Sequence, residues 1–419
     1  MEPIVISSRD FKEEDGCGRQ HHVLLRKALI APDAMLGFAD VLAECGYRAS
    51  DCAVIYDENT YEAMRGKHPK AKQEIVLSPE NLHANEHGVA LAKEKLGDAK
   101  LLIAAGAGTI HDITRYICAE RGLPFGSAPT AASVDGFVSS VAAMTLGGYK
   151  VTVPSAAPDF LVADLDVVAE APMYLTASGL GDVLGKYVSL TDWEIGRIVT
   201  GEYHCRYTAE LMKKAVDEAY RSVEGIAAGE RAAYGSLMKA LVLSGVAMQL
   251  SGNSRPASGA EHHVSHMIEM GPPWLPAVDA LHGEKVGVGT ILSLKKYRGW
   301  IGASPDDLMR AVAAWKPYTE ALLAPVFGHL TASVLKENAR CCLGGVDPQR
   351  LADGWKEIQS LFRALPEGED VRALLQRVGG KTALSDLGID EGERERILTW
   401  SPTVRNRLTF MRMLQTLQL

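Results

Sequence analysis

Residues 101–122 read LLIAAGAGTIHDITRYICAERG. An apolar strand runs into the turn Gly106-Ala107-Gly108-Thr109, and a helix follows and stops at Gly122. Strand, glycine turn and helix in that order form half of a parallel βαβ unit. The surrounding chain repeats the unit. His22–Ile30 predicts a short strand, and APDAMLGFADVLAECG an amphipathic helix ending at Gly46. CAVIYD is a strand stopping at Asp57, YEAMRG a helix, QEIVLS a strand, HGVALAKEKLG a helix and PFGSAPT a strand. This alternation predicts a Rossmann-like parallel sheet with helices on both faces.

From Ser133 onward the period changes. VSSVAAMTLGGYKVTVP predicts a hairpin turning at Gly147-Gly148, and FLVADLDVV the last strand. Beyond Pro172 the pattern is helical: 173–192, 205–228, 230–251, 259–269, 282–299, 305–338 with a break at Pro317, 348–364, 368–378, and a pair within 391–419. The expected architecture is an α/β nucleotide-binding domain, residues 1–170, followed by an all-α domain, residues 171–419.

At 419 residues the chain is too long for one ordinary core, and 47% apolar residues supply burial for two. A net charge of −8 without a basic block argues against nucleic acid as a partner. No run of eighteen apolar residues appears, and MEPIVISSRDFKEEDG lacks a basic-then-apolar leader, so no integral membrane segment is expected. The 7 cysteines are scattered without CxxC spacing, which suits free thiols in a reducing cytoplasm. Cys341 and Cys342 read as small buried residues. Apolar faces in the helical half suggest a homo-oligomer, a dimer or larger.

Three constellations carry chemistry. The first gathers at the carboxyl ends of the strands, where open α/β sheets bind ligands. Gly106–Thr109 lets a backbone approach a pyrophosphate at a helix N-terminus, Asp57 can accept from ribose hydroxyls, and Thr130-Ala131-Ala132-Ser133 forms a second small turn. Here the acid precedes the glycine turn, whereas the standard dinucleotide fingerprint places it about twenty residues later. An ordinary strand-to-helix turn is the competing reading.

The second lies in SGNSRPASGAEHHVSHMIEMGPPWLPAVDALHGEKVGVG, residues 251–289. Asp182, from SGLGDVLGKY, with His262 and His282 would present one carboxylate and two imidazoles and leave positions open for substrate, as a catalytic divalent ion requires. His262 with His266, one helical turn apart, is the rival pair, and hydrogen-bonded core histidines are the bland reading.

The third is a set of anion-competent groups: Lys186, Arg255, Ser254 and Ser258. Helix capping and a solvated lysine would explain these equally. Asp135, in SVDG, either accepts from a substrate hydroxyl or shapes a turn.

The segments GTIHDITR (108–115), APTAASVDGFVSS (128–140), SGLGDVLGKY (178–187), SRPASGAEHHVSH (254–266) and LHGEKVGVGT (281–290) together resemble the metal-dependent polyol dehydrogenases related to glycerol dehydrogenase and dehydroquinate synthase. GTIHD and SRPASGAEH are similar to the glycerol-1-phosphate branch of that family. The resemblance implies a dehydroquinate synthase-like fold. It also implies reversible NAD(P)H-linked reduction of a phosphorylated triose, dihydroxyacetone phosphate, to sn-glycerol 1-phosphate for glycerophospholipid synthesis. A glycerol-type polyol dehydrogenase and a cyclase using NAD catalytically are the alternatives. By the same resemblance Asp57, Gly108, Thr109, Ile110, His111, Asp112, Thr130, Ala131, Ala132, Ser133 and Ser139 would hold NAD(P). Asp182, His262 and His282 would ligate a divalent ion, zinc with nickel as the alternative. Asp135, Asp182, His266 and Arg255 would contact substrate, and Asp135, His266 and Lys186 would serve catalysis. His263 falls behind the ligands or on the surface. Ala107 and Thr109 depart from the GGGK-like turn of glycerol dehydrogenases, which argues against plain glycerol as substrate.

Overall fold

The computed structural model describes residues 1–147 and 149–419; Gly148, the second residue of the expected hairpin turn, lies outside them. The chain divides into two compact units, Met1–Val183 with Asp217–Asn253, and Leu184–Val216 with Ser254–Leu419.

Among the described residues the first unit is built on nine strands: β1 (Ile4–Ser7), β2 (Lys27–Ala31), β3 (Cys52–Asp57), β4 (Gln73–Leu77), β5 (Leu101–Gly106), β6 (Phe125–Pro129), β7 (Val141–Leu146), β8 (Tyr149–Pro154) and β9 (Phe160–Asp164). Seven form one sheet in the order β1-β2-β9-β6-β5-β3-β4. All its pairings are parallel except β1 with β2. β7 and β8 form the expected hairpin as a separate antiparallel ribbon.

Side-chain alternation explains why the sheet is covered on both faces. Val54, Tyr56, Leu101, Ile103 and Val162 join one apolar cluster. Their immediate neighbours Ala53, Ile55, Leu102 and Ala104 join the other, with Ile75 and Leu77. A strand buried on both faces reads as a continuous apolar run, as LLIAAG does. Burying one such Val, Leu or Ile contributes about 1.5–3 kcal/mol.

The strand order makes a switch point. β3 connects outward to the edge strand β4, and β5 connects the opposite way to β6. The crevice between the carboxyl ends of β3 and β5 is where such sheets take a nucleotide.

Several expectations shift in position. The strand expected over His22–Ile30 is β2, five residues later at its start, and β1 precedes it unforeseen. The helix expected over 173–192 breaks at Gly185 into Met173–Leu184 and Lys186–Thr200. The stretch 305–338 is three helices, Asp306–Ala314, Glu320–Phe327 and Thr331–Glu337. Helix Arg231–Ser251 packs on Asp135–Val138 and on Leu165–Glu170 within the first unit. It is long and apolar enough to cross a membrane, but 78% of its apolar window is buried inside the protein, as a core helix requires. The second unit is helical throughout its described elements.

Candidate active site

In the first unit, Asp57 ends β3 and caps the following helix, its Oδ1 accepting from Thr60 N at 2.8 Å. Next to it, β5 runs into helix Gly108–Arg121, whose N-terminal residue Ala107 supplies no side-chain cap. Gly108, Thr109, Ile110, His111 and Asp112 form the first turn and a half of that helix, so their backbone N–H groups lie at its positive end. The contrast is chemical: one helix start is closed by a carboxylate and the other is left for an outside acceptor.

His111 turns inward. Its Nδ1 lies 3.0 Å from Ala107 O and its Nε2 2.7 Å from Ser127 Oγ. A carbonyl only accepts, so Nδ1 carries the proton. Burial, helped by the Arg115 charge, lowers its pKa to about 3.

The segment Thr130–Ser133 follows β6, tied by Thr130 N to Gly106 O at 3.1 Å. Its four residues are buried, and Ser133 Oγ has no hydrogen-bond partner among the described residues. An orphan buried hydroxyl beside an uncapped helix start suits a nucleotide's polar groups. Helix Met173–Leu184 presses on this turn: a methyl on Gly179 would lie 1.9 Å from Ala132 O. Ser139 accepts from Val141 N at 3.1 Å, and Arg115 grips the same segment through Ser139 O at 2.8 Å and Phe137 O at 3.1 Å.

Asp182 is fully buried near the end of helix Met173–Leu184. Its Oδ2 accepts from Asp135 N at 3.0 Å, and Asp135 Oδ2 accepts from Ser244 Oγ at 2.7 Å. The structure therefore joins two carboxylates that sequence distance separates.

In the second unit three imidazoles converge. Helix Ala260–Met270 carries His262 and His266, and His282 opens helix His282–Arg298. Ring centroids are 5.3 Å apart for His262 and His282, 5.9 Å for His266 and His282, and 6.1 Å for His262 and His266. His262 Nδ1 lies 2.7 Å from Glu261 Oε1. His282 Nδ1 lies 3.0 Å from Glu269 Oε1, and His266 Nδ1 lies 3.2 Å from Glu269 Oε2. A carboxylate on Nδ1 sets the tautomer and turns Nε2 into the ligand-bearing nitrogen, the usual support of a metal-bound histidine.

Burial pushes Glu261 up to about 7, against the N–H of Gly259. Burial also raises Glu269, but the charges and hydrogen bonds of His282 and His266 outweigh it and hold the carboxyl well below the ordinary range. Lys285 Nζ, 3.0 Å away, is a further partner of Glu269. Burial lowers His266 to about 4 despite Glu269. His263 is buried within the same helix rather than on the surface.

Lys186 is fully buried at the start of helix Lys186–Thr200. Arg255 is also buried, and its guanidinium pairs with both oxygens of Glu202 and donates to Leu408 O at 2.6 Å. Ser254 Oγ accepts from Arg407 at 2.6 Å, and Ser258 O accepts from the same guanidinium. Sequence reasoning missed Glu261, Glu269 and Arg407. The two glutamates were visible as neighbours of the histidines, at one and three residues' distance on one helix; nothing in the sequence pointed to Arg407.

A family model described as iron-containing alcohol dehydrogenase matches residues 29–172. The chain is 35% identical over 410 residues to a Bacillus licheniformis protein named glycerol-1-phosphate dehydrogenase (NAD(P)+), covering 95% of this chain and 91% of that one. Among solved structures, glycerol dehydrogenase from Schizosaccharomyces pombe is similar with a TM-score of 0.55 at 18% identity, covering 81% of this chain and 90% of the other. Iron-containing alcohol dehydrogenase from Corynebacterium glutamicum gives 0.57 at 15% identity, covering 95% and 96%.

Proposed function

The chain belongs to the glycerol-1-phosphate dehydrogenase family, and from that premise we propose that it reduces dihydroxyacetone phosphate to sn-glycerol 1-phosphate with NAD(P)H, reversibly, for glycerophospholipid synthesis. The observation that carries the chemistry is the pair of imidazoles, His262 and His282, each with Nδ1 on a carboxylate. We propose the buried Asp182 as their third partner in holding one divalent ion. One carboxylate and two imidazoles suit zinc, and nickel or iron would be accepted by the same donors.

When bound, the ion supplies Lewis acidity toward the substrate's C2 oxygen and the nicotinamide supplies hydride. The chain has the remaining work. Glu261 and Glu269 hold the rings so that the donor set exists before substrate arrives. The rigid first turn of helix Gly108–Arg121, Asp57, the Thr130–Ser133 turn and Ser139 bind the nucleotide at the switch point. His266 donates Nδ1–H to Glu269 and carries its lone pair on Nε2, so it can take the hydroxyl proton during oxidation and return it during reduction. Asp135 accepts from a substrate hydroxyl, and Asp182 lies beside it through the Asp135 N–H. Lys186 supplies positive charge for the phosphate. Arg255, already paired with Glu202, contributes there chiefly by holding its segment.

The 7 cysteines are scattered without CxxC spacing, which supports a reducing cytoplasm as the working compartment. We extend the proposal to a homo-oligomer of two copies or more, measurable by sedimentation.

The test is a substrate panel followed at the nicotinamide absorbance band: dihydroxyacetone phosphate, dihydroxyacetone and glycerol, with elemental analysis of the same preparation. Phosphate-dependent NAD(P)H oxidation, lost on chelation, is expected. Equal rates with dihydroxyacetone, or phosphate release from a seven-carbon sugar phosphate without net NADH consumption, would overturn the reading.

A further inference from the structure

The segment Asp15-Gly16-Cys17-Gly18-Arg19-Gln20-His21 takes no part in the chemistry above, yet three of its side chains converge. Cys17 Sγ lies 3.3 Å from His21 Nε2, and Asp15 Oδ1 lies 3.6 Å from the same nitrogen. One ligand-type atom from each lies within 4.8 Å of the others. The loop is shaped for this meeting. Gly16 and Gly18 both have φ of +84°, a left-handed turn on either side of Cys17 that side-chain-bearing residues rarely adopt. Cys17 N donates to Asp15 Oδ1 at 3.0 Å, and His21 N donates to Glu13 O at 2.8 Å, closing the loop.

His21 is 3% exposed, and its Nδ1 lies 3.0 Å from Lys12 O. That carbonyl can only accept, so Nδ1 holds the proton and Nε2, the nitrogen facing Cys17 and Asp15, holds the lone pair. A tautomer locked in this way, with the lone pair turned toward a thiol and a carboxylate, is the support a metal-bound imidazole needs.

We propose that Asp15, Cys17 and His21 bind a second divalent ion, of the zinc type, separate from the catalytic one. Thiolate, imidazole and carboxylate are all donors that zinc takes, and soft sulfur disfavours magnesium and calcium. Binding replaces the thiol proton: the Cys17 S–H bond breaks, a sulfur–metal bond forms, and one proton leaves to solvent. The ion's role is to fix the leading segment of the first unit, which has few apolar side chains of its own to bury.

The experiment is cobalt(II) titration of the full chain after chelator dialysis, read by absorbance and by elemental analysis. A sulfur-to-cobalt charge-transfer band in the near ultraviolet is the diagnostic, because Asp182, His262 and His282 contain no thiol. We expect two ions per chain and the band in the native protein. His262→Ala should keep the band with one ion lost, and Cys17→Ser or His21→Ala should abolish the band. Absence of the band in the native chain at saturating cobalt overturns the proposal whatever the variants do. So does an undiminished band in Cys17→Ser. Full activity in His262→Ala, with the band unchanged, would count against the catalytic reading alone.

Discussion

The carboxylate of Glu269 accepts from Nδ1 of His282 at 3.0 Å. One oxygen thereby orients a ring on a different helix, while the second oxygen lies 3.2 Å from His266 Nδ1. A single carboxylate couples a proposed metal ligand to a proposed proton carrier. Glu269→Gln keeps the size but can accept through only one atom. Losing such an outer partner of a ligand typically costs 10–100-fold in metal affinity. We expect a chelator-competition titration to show a drop of about that size, with kcat falling in parallel and the nucleotide KM unchanged. Native metal affinity in Glu269→Gln would remove Glu269 from the support of the site.

Gly179 tests the link between helix Met173–Leu184 and the nucleotide turn. A methyl there would sit 1.9 Å from Ala132 O, far inside contact distance, so the turn Thr130–Ser133 must move. Overpacking of this kind costs about 1–3 kcal/mol. Gly179→Ala should lower the denaturation midpoint and raise the nucleotide KM. A variant with normal nucleotide KM would show that the turn yields without consequence for binding.

Much of the nucleotide half was legible because strands buried on both faces announce themselves as apolar runs. LLIAAG and CAVIYD needed no partner to be read, and the acid and glycine turn at their ends followed. β1 was not legible: Ile4–Ser7 is a short edge strand whose sheet partner among the described residues is the antiparallel β2. The return of Asp217–Asn253 to the first unit was equally hidden, since helix Arg231–Ser251 looks the same in composition whichever unit buries it. Arg255 read as a phosphate group's partner, and the pairing with Glu202 was not foreseen. A charge shows its sign in sequence but not its counter-ion. Glu261 and Glu269 look like the solvated face of a helix until burial reveals them as the histidines' supports.

His111 makes acid sensitivity predictable. Its folded pKa is lowered to about 3 by burial and by Arg115, against about 6.5 for an unfolded imidazole. Between those values the unfolded state binds a proton that the folded state does not. The contribution is therefore complete above pH ~6.5 and is lost as pH falls, at about 1.4 kcal/mol per pH unit for this group. Urea midpoints from pH 7 down to pH 5 should decline in the native chain and decline less steeply in His111→Gln. Parallel slopes would assign the sensitivity to another group.

Asp57 can be separated into its two duties. Its Oδ1 caps helix Glu58–Ala63 through Thr60 N, and an asparagine caps about as well as an aspartate. Asp57→Asn should therefore leave stability within about 0.5 kcal/mol, whereas Asp57→Ala should lose about 1 kcal/mol. Only the charge distinguishes the first variant from the native chain. A carboxylate accepts from both ribose hydroxyls of NAD and repels the 2′-phosphate of NADP. Asp57→Asn is expected to raise the KM for NADH and lower that for NADPH, with the ketone KM untouched. If both nucleotides respond alike, or only the ketone does, the carboxylate at the end of β3 is a helix cap and nothing more.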